Sequence, residues 1–144
     1  MKPATRAFRA SIFVDTSAFF ALADRTDRFD SLAVRFLERN EGLLVTSNLV
    51  VYETITLIRM RLGHEPAMRF GRRLLDEEIT PTIRLTMSDE REAWSIFRRY
   101  GDKRLSFVDC TSFILMKRYG IPGAFAFDDD FRQVGPWIVH PTTE

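Results

Sequence analysis

The fold is decided by the segment Ser11-Ile12-Phe13-Val14-Asp15-Thr16-Ser17-Ala18-Phe19-Phe20-Ala21-Leu22. Three apolar residues lead into Asp15, two hydroxyl residues follow, and a second apolar run begins. This order predicts a buried strand that ends at Asp15, with Thr16 or Ser17 capping the next helix. Because open α/β sheets bind ligands outside the carboxyl ends of their strands, Asp15 is a candidate site residue.

Length and composition indicate one globular domain. The chain has 144 residues, of which 45% are hydrophobic and 28% are charged, as in ordinary globular proteins. We therefore expect a single domain over residues 1–144, in which residues 1–10 form an irregular N-terminal extension before the first strand. No apolar run approaches the roughly 18 residues of a membrane span, and Asp15 interrupts the first one too early for a signal sequence. A cytoplasmic protein without a membrane partner is expected.

The chemistry of any metal site is limited by the rarity of soft ligands. The single cysteine, Cys110, has apolar neighbours and is expected to be buried, and two histidines are too few for a usual zinc site. A bound metal would therefore be held by oxygen atoms, which favours Mg²⁺ or Mn²⁺. Most basic residues are arginines, which suit phosphate contacts but pair equally well with acids on a helical surface.

Strand and helix patterns alternate along the whole chain. Strands are predicted near residues 11–14, 43–47, 79–85, 124–127 and 137–139, and Pro81 marks the third as an edge strand. Helices are predicted over about residues 28–40, from Ser47 or Asn48 to Gly63, from Pro66 to Leu75, from Ser88 or Asp89 to Gly101, and from Ser106 to about Tyr119. This alternation predicts an α/β fold with a central, mostly parallel sheet of four to five strands and helices on both faces.

Four acids are expected to meet at one edge of this sheet. Asp15 ends the first strand, Glu53 lies near the start of the helix after the second, Asp109 lies in the first turn opened by Ser106, and Asp128 follows a late strand. Strand ends and the starts of the following helices share one edge of a parallel sheet. The four carboxylates should therefore converge although they are far apart in sequence.

Each acid also has a purely structural interpretation. Asp109 can complete a capping box with Ser106, Glu53 can pair with an arginine, and the run 128–130 can form a solvated turn. Each of these structural explanations applies to one acid only. One shared divalent cation would account for all the acids, because it removes the repulsion between their charges. Such a cluster suits metal-assisted hydrolysis of phosphodiesters, which needs no serine or cysteine nucleophile.

The same residues resemble the four acidic motifs of the PIN-domain ribonucleases, and most of all those of the small VapC-type toxins of toxin–antitoxin pairs. The matching segments are Phe13-Val14-Asp15-Thr16-Ser17, Leu49-Val50-Val51-Tyr52-Glu53-Thr54, Leu105-Ser106-Phe107-Val108-Asp109 and Ala126-Phe127-Asp128-Asp129-Asp130-Phe131. The resemblance implies a PIN fold, a Mg²⁺- or Mn²⁺-dependent endoribonuclease, an RNA substrate, a homodimer and a cognate antitoxin protein.

The resemblance also implies roles for individual residues. Asp15, Glu53, Asp109 and Asp128 match the catalytic, metal-binding acids of the family, and Asp130 matches a further position that is often acidic. Ser17 matches the small polar residue that supports the first acid, with Thr16 beside it. Asp129 has no counterpart and is interpreted as part of a solvated turn.

Other enzyme classes fit less well. A haloacid dehalogenase phosphatase would have a second aspartate where this chain has Ser17, and a receiver domain would need a lysine near a late strand, whereas Lys117 falls within a predicted helix. Glycine-rich phosphate loops are absent from the sequence. The alternative from another class is a PIN-like binding or scaffold module without significant nuclease activity, whose helices between Leu49 and Leu75 hold a partner protein.

Four arginines are candidates for RNA contact. Arg25, Arg28, Arg104 and Arg132 are predicted to lie in loops near the edge that carries the acids. Contacts from arginine to phosphate position nucleic acid without reading its sequence. We therefore expect some of these four side chains to bind the RNA backbone.

Overall fold

A computed structural model describes residues 10–142, which form one α/β domain. The predicted extension of residues 1–10 lies outside the described residues, apart from Ala10. The strands are β1 (Ile12–Val14), β2 (Leu44–Ser47), β3 (Thr82–Ile83), β4 (Gly123–Phe125) and β5 (Ile138–His140). The helices are α1 (Thr16–Ala23), α2 (Asp30–Arg39), α3 (Asn48–Leu62), α4 (His64–Leu75), α5 (Met87–Arg99), α6 (Phe107–Tyr119) and α7 (Asp130–Val134). Between residues 10 and 142, none of these helices is long and apolar enough to cross a membrane.

The five strands form one parallel sheet in the order β3-β2-β1-β4-β5. The expected α/β fold with a parallel sheet is thereby confirmed, and β3, which directly follows Pro81, is an edge strand as predicted. Since all strands point the same way, their carboxyl ends lie along one edge, which we call the carboxyl edge. We call the opposite edge the amino edge.

The connections between strands place helices on both faces of the sheet. Helices α1 to α4 lie in the connections that run outward from β1 through β2 to β3, whereas α5 and α6 carry the chain back across the sheet to β4. Parallel crossovers are right-handed, so connections that run in opposite directions cover opposite faces. The prediction of a sheet flanked on both faces follows from this topology.

Helix α6 passes through the centre of the core. Every residue of this helix from Asp109 to Met116 is buried, although the segment contains Thr111 and Ser112. The two hydroxyls donate to the carbonyl oxygen of Val108, at 2.6 and 3.2 Å, so neither is left unpaired. Cys110 is fully buried, and burial raises the pKa of its thiol to about 11, which confirms a packing residue rather than a reactive thiolate.

Several predicted helix ends are confirmed, but the predicted caps of α1 and α5 are wrong. The Ser47 hydroxyl accepts from the Val50 N–H at the start of α3, and Gly120 ends α6 with a left-handed φ of 66°. Helix α5, however, is capped by Thr86 rather than by Ser88 or Asp89. Asp89 is instead the third helical residue, and its carboxylate accepts from the Thr86 N–H and pairs with Arg118. The short helix α7 was not predicted.

Candidate metal centre

Asp15 itself caps helix α1, which corrects the prediction that Thr16 or Ser17 does so. Its Oδ2 accepts hydrogen bonds from the Ser17 N–H at 3.2 Å and from the Ser17 hydroxyl at 2.7 Å. The side chain is 2% exposed, and its backbone N–H continues the sheet by donating to the Phe125 carbonyl at 3.0 Å. The strand end and the helix start therefore fix this carboxylate together.

Ser17 also contacts the loop that follows β4. Its hydroxyl oxygen accepts a hydrogen bond from the Phe127 N–H at 3.0 Å. Phe127 directly precedes Asp128, so one small side chain connects the residues that position two of the acids. This geometry agrees with the supporting role that the family resemblance implied for Ser17.

Asp109 belongs to a complete capping box at the start of α6. Its Oδ2 accepts from the Ser106 N–H at 3.0 Å, while the Ser106 hydroxyl accepts from the Asp109 N–H at 3.0 Å. The structural interpretation of this acid is therefore correct. It does not exclude a metal-binding role, because the second carboxylate oxygen takes no part in the cap.

Three of the predicted acids meet at the carboxyl edge. Asp15, Asp109 and Asp128 each offer one carboxylate oxygen, and these three oxygens lie within 4.8 Å of one another. Asp128 follows the end of β4 by three residues and accepts from the Asp130 N–H at 3.3 Å. Residues separated by almost the whole chain thus present three oxygens to one small volume.

Glu53 and Asp130 lie beside this group rather than within it. Glu53 is half-buried in the second turn of α3, close enough to Asp15 for their charges to repel. Asp130 is the first residue of α7, and burial, followed by its interaction with Asp109, raises the pKa of its carboxyl group. The predicted convergence therefore divides into a compact group of three acids and two flanking acids.

Burial and mutual repulsion raise the pKa values of these acids. Burial, and then the charges of Asp15, Asp130 and Asp109, raise the pKa of Asp128 to about 8. Burial, and then Asp109, raise the pKa of Asp130 to about 7. The pKa values of Asp15, Asp109 and Glu53 are raised as well, in each case chiefly by burial. Without a cation, protons are therefore retained in the cluster at neutral pH.

The residues present fit a hard divalent cation. The three converging atoms are all carboxylate oxygens, the ligands that Mg²⁺ and Mn²⁺ prefer. Within residues 10–142, no histidine or cysteine belongs to this group. Thr16 is buried beside Glu53, where an interaction with its hydroxyl opposes part of the rise in the pKa of the Glu53 carboxyl group.

Two stacked aromatic rings connect Arg28 to the loop that carries Asp128. Its guanidinium carbon is 4.4 Å from the centroid of the Phe29 ring, and Phe29 stacks on Phe127 at 4.6 Å with an interplanar angle of 10°. Phe127 precedes Asp128, so Arg28 stands at the carboxyl edge on the β4 side. The sequence analysis missed the two phenylalanines, although each adjoins a predicted site residue.

The other candidate arginines differ in their settings. Arg25 and Arg104 are exposed in loops, as predicted. Arg132 is not in a loop, since it lies in α7, where it pairs with Asp129 at 3.2 Å. The expected loop position of Arg132 is therefore wrong.

The family is decided by a match over most of the chain. A model of the PIN domain matches residues 12–135. The chain belongs to the PIN-domain family. The four acidic motifs that suggested this family all lie within the matched region.

Individual relatives agree with this assignment. This PIN domain is 37% identical over 130 residues to proteins described as 23S rRNA-specific endonuclease VapC20, from two strains of Mycobacterium tuberculosis. The match covers 90% of this chain and 98% of the relative. A crystal structure of M. tuberculosis VapC20, described as a toxin that cleaves the sarcin–ricin loop, superposes with a TM-score of 0.81 at 35% identity, covering 86% of this chain and 95% of that one. The expected resemblance to VapC-type toxins is confirmed.

Proposed function

We propose that this PIN domain is a divalent-metal-dependent endoribonuclease and the toxin of a toxin–antitoxin pair. The observation that carries the proposal is the meeting of three carboxylate oxygens, from Asp15, Asp109 and Asp128, within 4.8 Å at the carboxyl edge. A PIN domain with an intact group of acids, similar over nearly its whole length to endonucleases, favours catalysis over the alternative of a binding or scaffold module.

The residues of the chain would act mainly by positioning. Asp15, Asp109 and Asp128 would hold Mg²⁺ or Mn²⁺, with Glu53 and Asp130 ordering water around it. Ser17 and the α6 cap would keep two of the ligands in place. When bound, the cation would supply positive charge to the phosphate under attack and favour deprotonation of a water molecule. Because burial raises the pKa values of all these acids, binding the cation releases protons from the cluster.

The proposed substrate class is structured ribosomal RNA. The similar proteins are named for cleavage of 23S rRNA and of its sarcin–ricin loop, and the shared fold supports a related target for this chain. We also propose that some of Arg25, Arg28, Arg104 and Arg132 bind RNA phosphates. Arg28 has the best support, because stacked rings connect it to Phe127, the residue before Asp128. With ribosomal RNA as substrate, the protein would act in the cytoplasm.

Protein partners are proposed for the exposed apolar side chains. Met60 on α3 is 78% exposed, and Met68 and Leu75 on α4, together with Met87 and Trp94 on α5, are also largely exposed. Met68 and Leu75 line one groove with Ile55 of α3, and a contiguous apolar surface of this kind is typical of sites that bind protein. We propose that a second copy of this chain and a cognate antitoxin cover them.

The substitution Asp15→Asn tests the proposed activity. It removes one ligand charge while the amide oxygen can still cap α1, so we expect a folded protein that cleaves a synthetic sarcin–ricin hairpin at least about 100-fold more slowly in Mg²⁺. Calorimetry should also show weaker Mn²⁺ binding. Asp102→Asn is the matched control, because Asp102 is exposed in the turn before α6.

The same assay separates the nuclease from a binding module. A nuclease loses activity when Mg²⁺ is chelated and regains it when Mg²⁺ or Mn²⁺ is restored. Equal cleavage by the parent protein and Asp15→Asn, with both folded, would rule out the catalytic proposal. Hairpin binding without any cleavage would favour the binding module.

A further inference from the structure

A second basic group lies at the carboxyl edge, on the side away from Arg28. Arg84 directly follows β3, and the register that pairs Ser47 with Ile83 places it beside the start of α3. The backbone is fixed immediately after it, because the Leu85 N–H donates to the Asn48 side chain at 2.9 Å. The backbone at Arg84 is therefore fixed at the carboxyl edge, beside the start of α3.

The guanidinium of Arg84 is oriented by a neutral partner. Its Nη1 donates to the Tyr52 hydroxyl oxygen at 3.3 Å, and this hydrogen bond lowers the pKa of the Tyr52 phenol. Within residues 10–142, Arg84 forms no ion pair, whereas Arg72, Arg118 and Arg132 each pair with a carboxylate. No carboxylate of the described residues therefore lies within ion-pair distance of Arg84.

A small cavity opens beside this group. Its volume is about 170 Å³, and Asn48, Tyr52, Thr82 and Arg84 contribute to its lining. Glu77 lines it too, and one of its carboxylate oxygens accepts the Thr82 N–H at 2.6 Å, which orients the side chain but leaves its negative charge in place. The cavity thus combines an unpaired arginine with a phenol and an amide, groups that donate hydrogen bonds to phosphate oxygens.

Tyr52 connects this cavity with the acids. It also lines a neighbouring groove of about 440 Å³, together with Glu53 and Val108. Glu53 flanks the group of three acids, and Val108 precedes Asp109. Tyr52 therefore lies between the cavity of Arg84 and a groove that reaches Glu53, one of the acids that flank the group of three.

We propose that Arg84, oriented by Tyr52, binds a backbone phosphate of the RNA strand that lies in the candidate metal centre. The inference rests on the proposed ribonuclease function and adds the path that the RNA strand takes across the protein. In the sheet, β3 lies on one side of β1 and β4 on the other, so Arg84 and Arg28 flank the acids. The RNA strand accordingly runs across the carboxyl edge, from β3 towards β4.

Salt-dependent binding tests this assignment separately from catalysis. The full chain carrying Asp15→Asn is titrated with a synthetic sarcin–ricin hairpin at several salt concentrations. Adding Arg84→Ala should weaken binding about 5- to 20-fold at low salt and make the slope of log K against log salt shallower by about 0.7 to 0.9. Arg84→Lys, which keeps the charge, should retain the slope and recover part of the affinity.

Arg39→Ala is the matched control. Arg39 is exposed at the end of α2, at the amino edge, and lacks an ion-pair partner in the described part of the chain. Its replacement should leave both affinity and slope unchanged. Equal effects of the two substitutions, or none from Arg84→Ala, would overturn the assignment.

Two further measurements exclude other roles for Arg84. Tyr52→Phe removes the hydroxyl that orients the guanidinium but no charge, so affinity should fall a few-fold while the slope stays the same. Sedimentation should give the same oligomeric state for the parent and Arg84→Ala. A change of oligomeric state would overturn the inference and assign Arg84 to a protein interface. If the parent protein did not cleave the hairpin in Mg²⁺ while the salt-dependent binding through Arg84 was observed, only the proposed function would be contradicted.

Discussion

Ser17 has more contacts at the site than its size suggests. Its hydroxyl donates to Asp15 at 2.7 Å and accepts from the Phe127 N–H at 3.0 Å. Ser17 and Phe127 lie 110 residues apart in sequence, and the two hydrogen bonds join the start of α1 to the loop before Asp128. Hydrogen bonds that orient a ligand are part of the energetics of a metal site.

We expect Ser17→Ala to lower Mn²⁺ affinity about 10- to 100-fold, since Asp15 loses one hydrogen bond and the Phe127 N–H loses its acceptor. The free energy of unfolding should fall by only about 1 kcal/mol. Calorimetry with Mn²⁺ and urea unfolding measure the two effects. Ser95→Ala is the control, because Ser95 donates to a carbonyl of its own helix on the surface. Unchanged Mn²⁺ affinity in Ser17→Ala would remove Ser17 from the site.

At the level of single residues, the sequence predicted that β1 ends at Asp15, but not that Asp15 itself caps α1. Asp15, Thr16 and Ser17 are consecutive, and each has a side-chain oxygen that can cap a helix. Which of them does so depends on the residue at which the backbone changes from extended to helical. Asp15 keeps extended torsions, with ψ of 161°, and therefore takes that role.

Two neighbouring helices begin with the same device and provide an internal comparison. Thr86 and Asp89 form the capping box of α5, and Ser106 and Asp109 form that of α6. Asp89 forms an ion pair with Arg118. Asp109 instead has a carboxylate oxygen within 4.8 Å of oxygens of Asp15 and Asp128. One cap is therefore structural, and the other is structural and part of the candidate site.

We expect Thr86→Ala and Ser106→Ala to lower the free energy of unfolding by similar amounts, about 1 kcal/mol each. Only Ser106→Ala should also weaken Mn²⁺ binding, by about 10-fold, since its helix start positions a ligand. Urea unfolding and calorimetry compare the two variants directly. Equal Mn²⁺ affinities would mean that the cap does not position Asp109.

Helix and strand signals were informative where they were local and unambiguous. Ser106 and Asp109 predicted a helix start correctly, and Pro81 correctly predicted an edge strand. Three residues that can cap a helix occur in the segment Thr86-Met87-Ser88-Asp89. The sequence analysis predicted Ser88 or Asp89, whereas Thr86 is the cap. Helix α7 has five residues, too few to show a helical period, so the acidic run before it was interpreted only as a turn.

For the whole molecule, the buried acids couple stability to pH. Asp128 has an ordinary pKa of 3.8, raised to about 8 in the folded chain. Between these values the folded state binds more protons than the unfolded state, so stability falls as pH rises through this window. The pKa of Asp130, raised to about 7, acts in the same direction.

We therefore expect the metal-free protein to melt roughly 5 °C or more lower at about pH 8 than at about pH 5. Mg²⁺ should cancel most of this difference, since it binds the ionised carboxylates and stabilises the fold more at the higher pH. Calorimetric melting with chelator or Mg²⁺ measures the effect, and Asp128→Asn should flatten the metal-free pH dependence. Greater stability of the metal-free parent at the higher pH would contradict the raised pKa values.

The gathering of acids was predictable because a parallel sheet brings all its strand ends to one edge. The separation of Glu53 from the other three was not, because it depends on the direction of a side chain from α3. Nor was the pairing of Arg84 with Tyr52, which are 32 residues apart and meet only because β3 lies beside β2. Long-range contacts of this kind leave no periodic pattern in a sequence.

The uniform direction of the strands has a practical consequence for anyone preparing the protein. The chain enters β1 at the amino edge, far from the acids, whereas β5 delivers Pro141 and Thr142 to the carboxyl edge. A purification tag fused after the last residue would emerge on the same side as the candidate metal centre, where a histidine tag would compete for the cation.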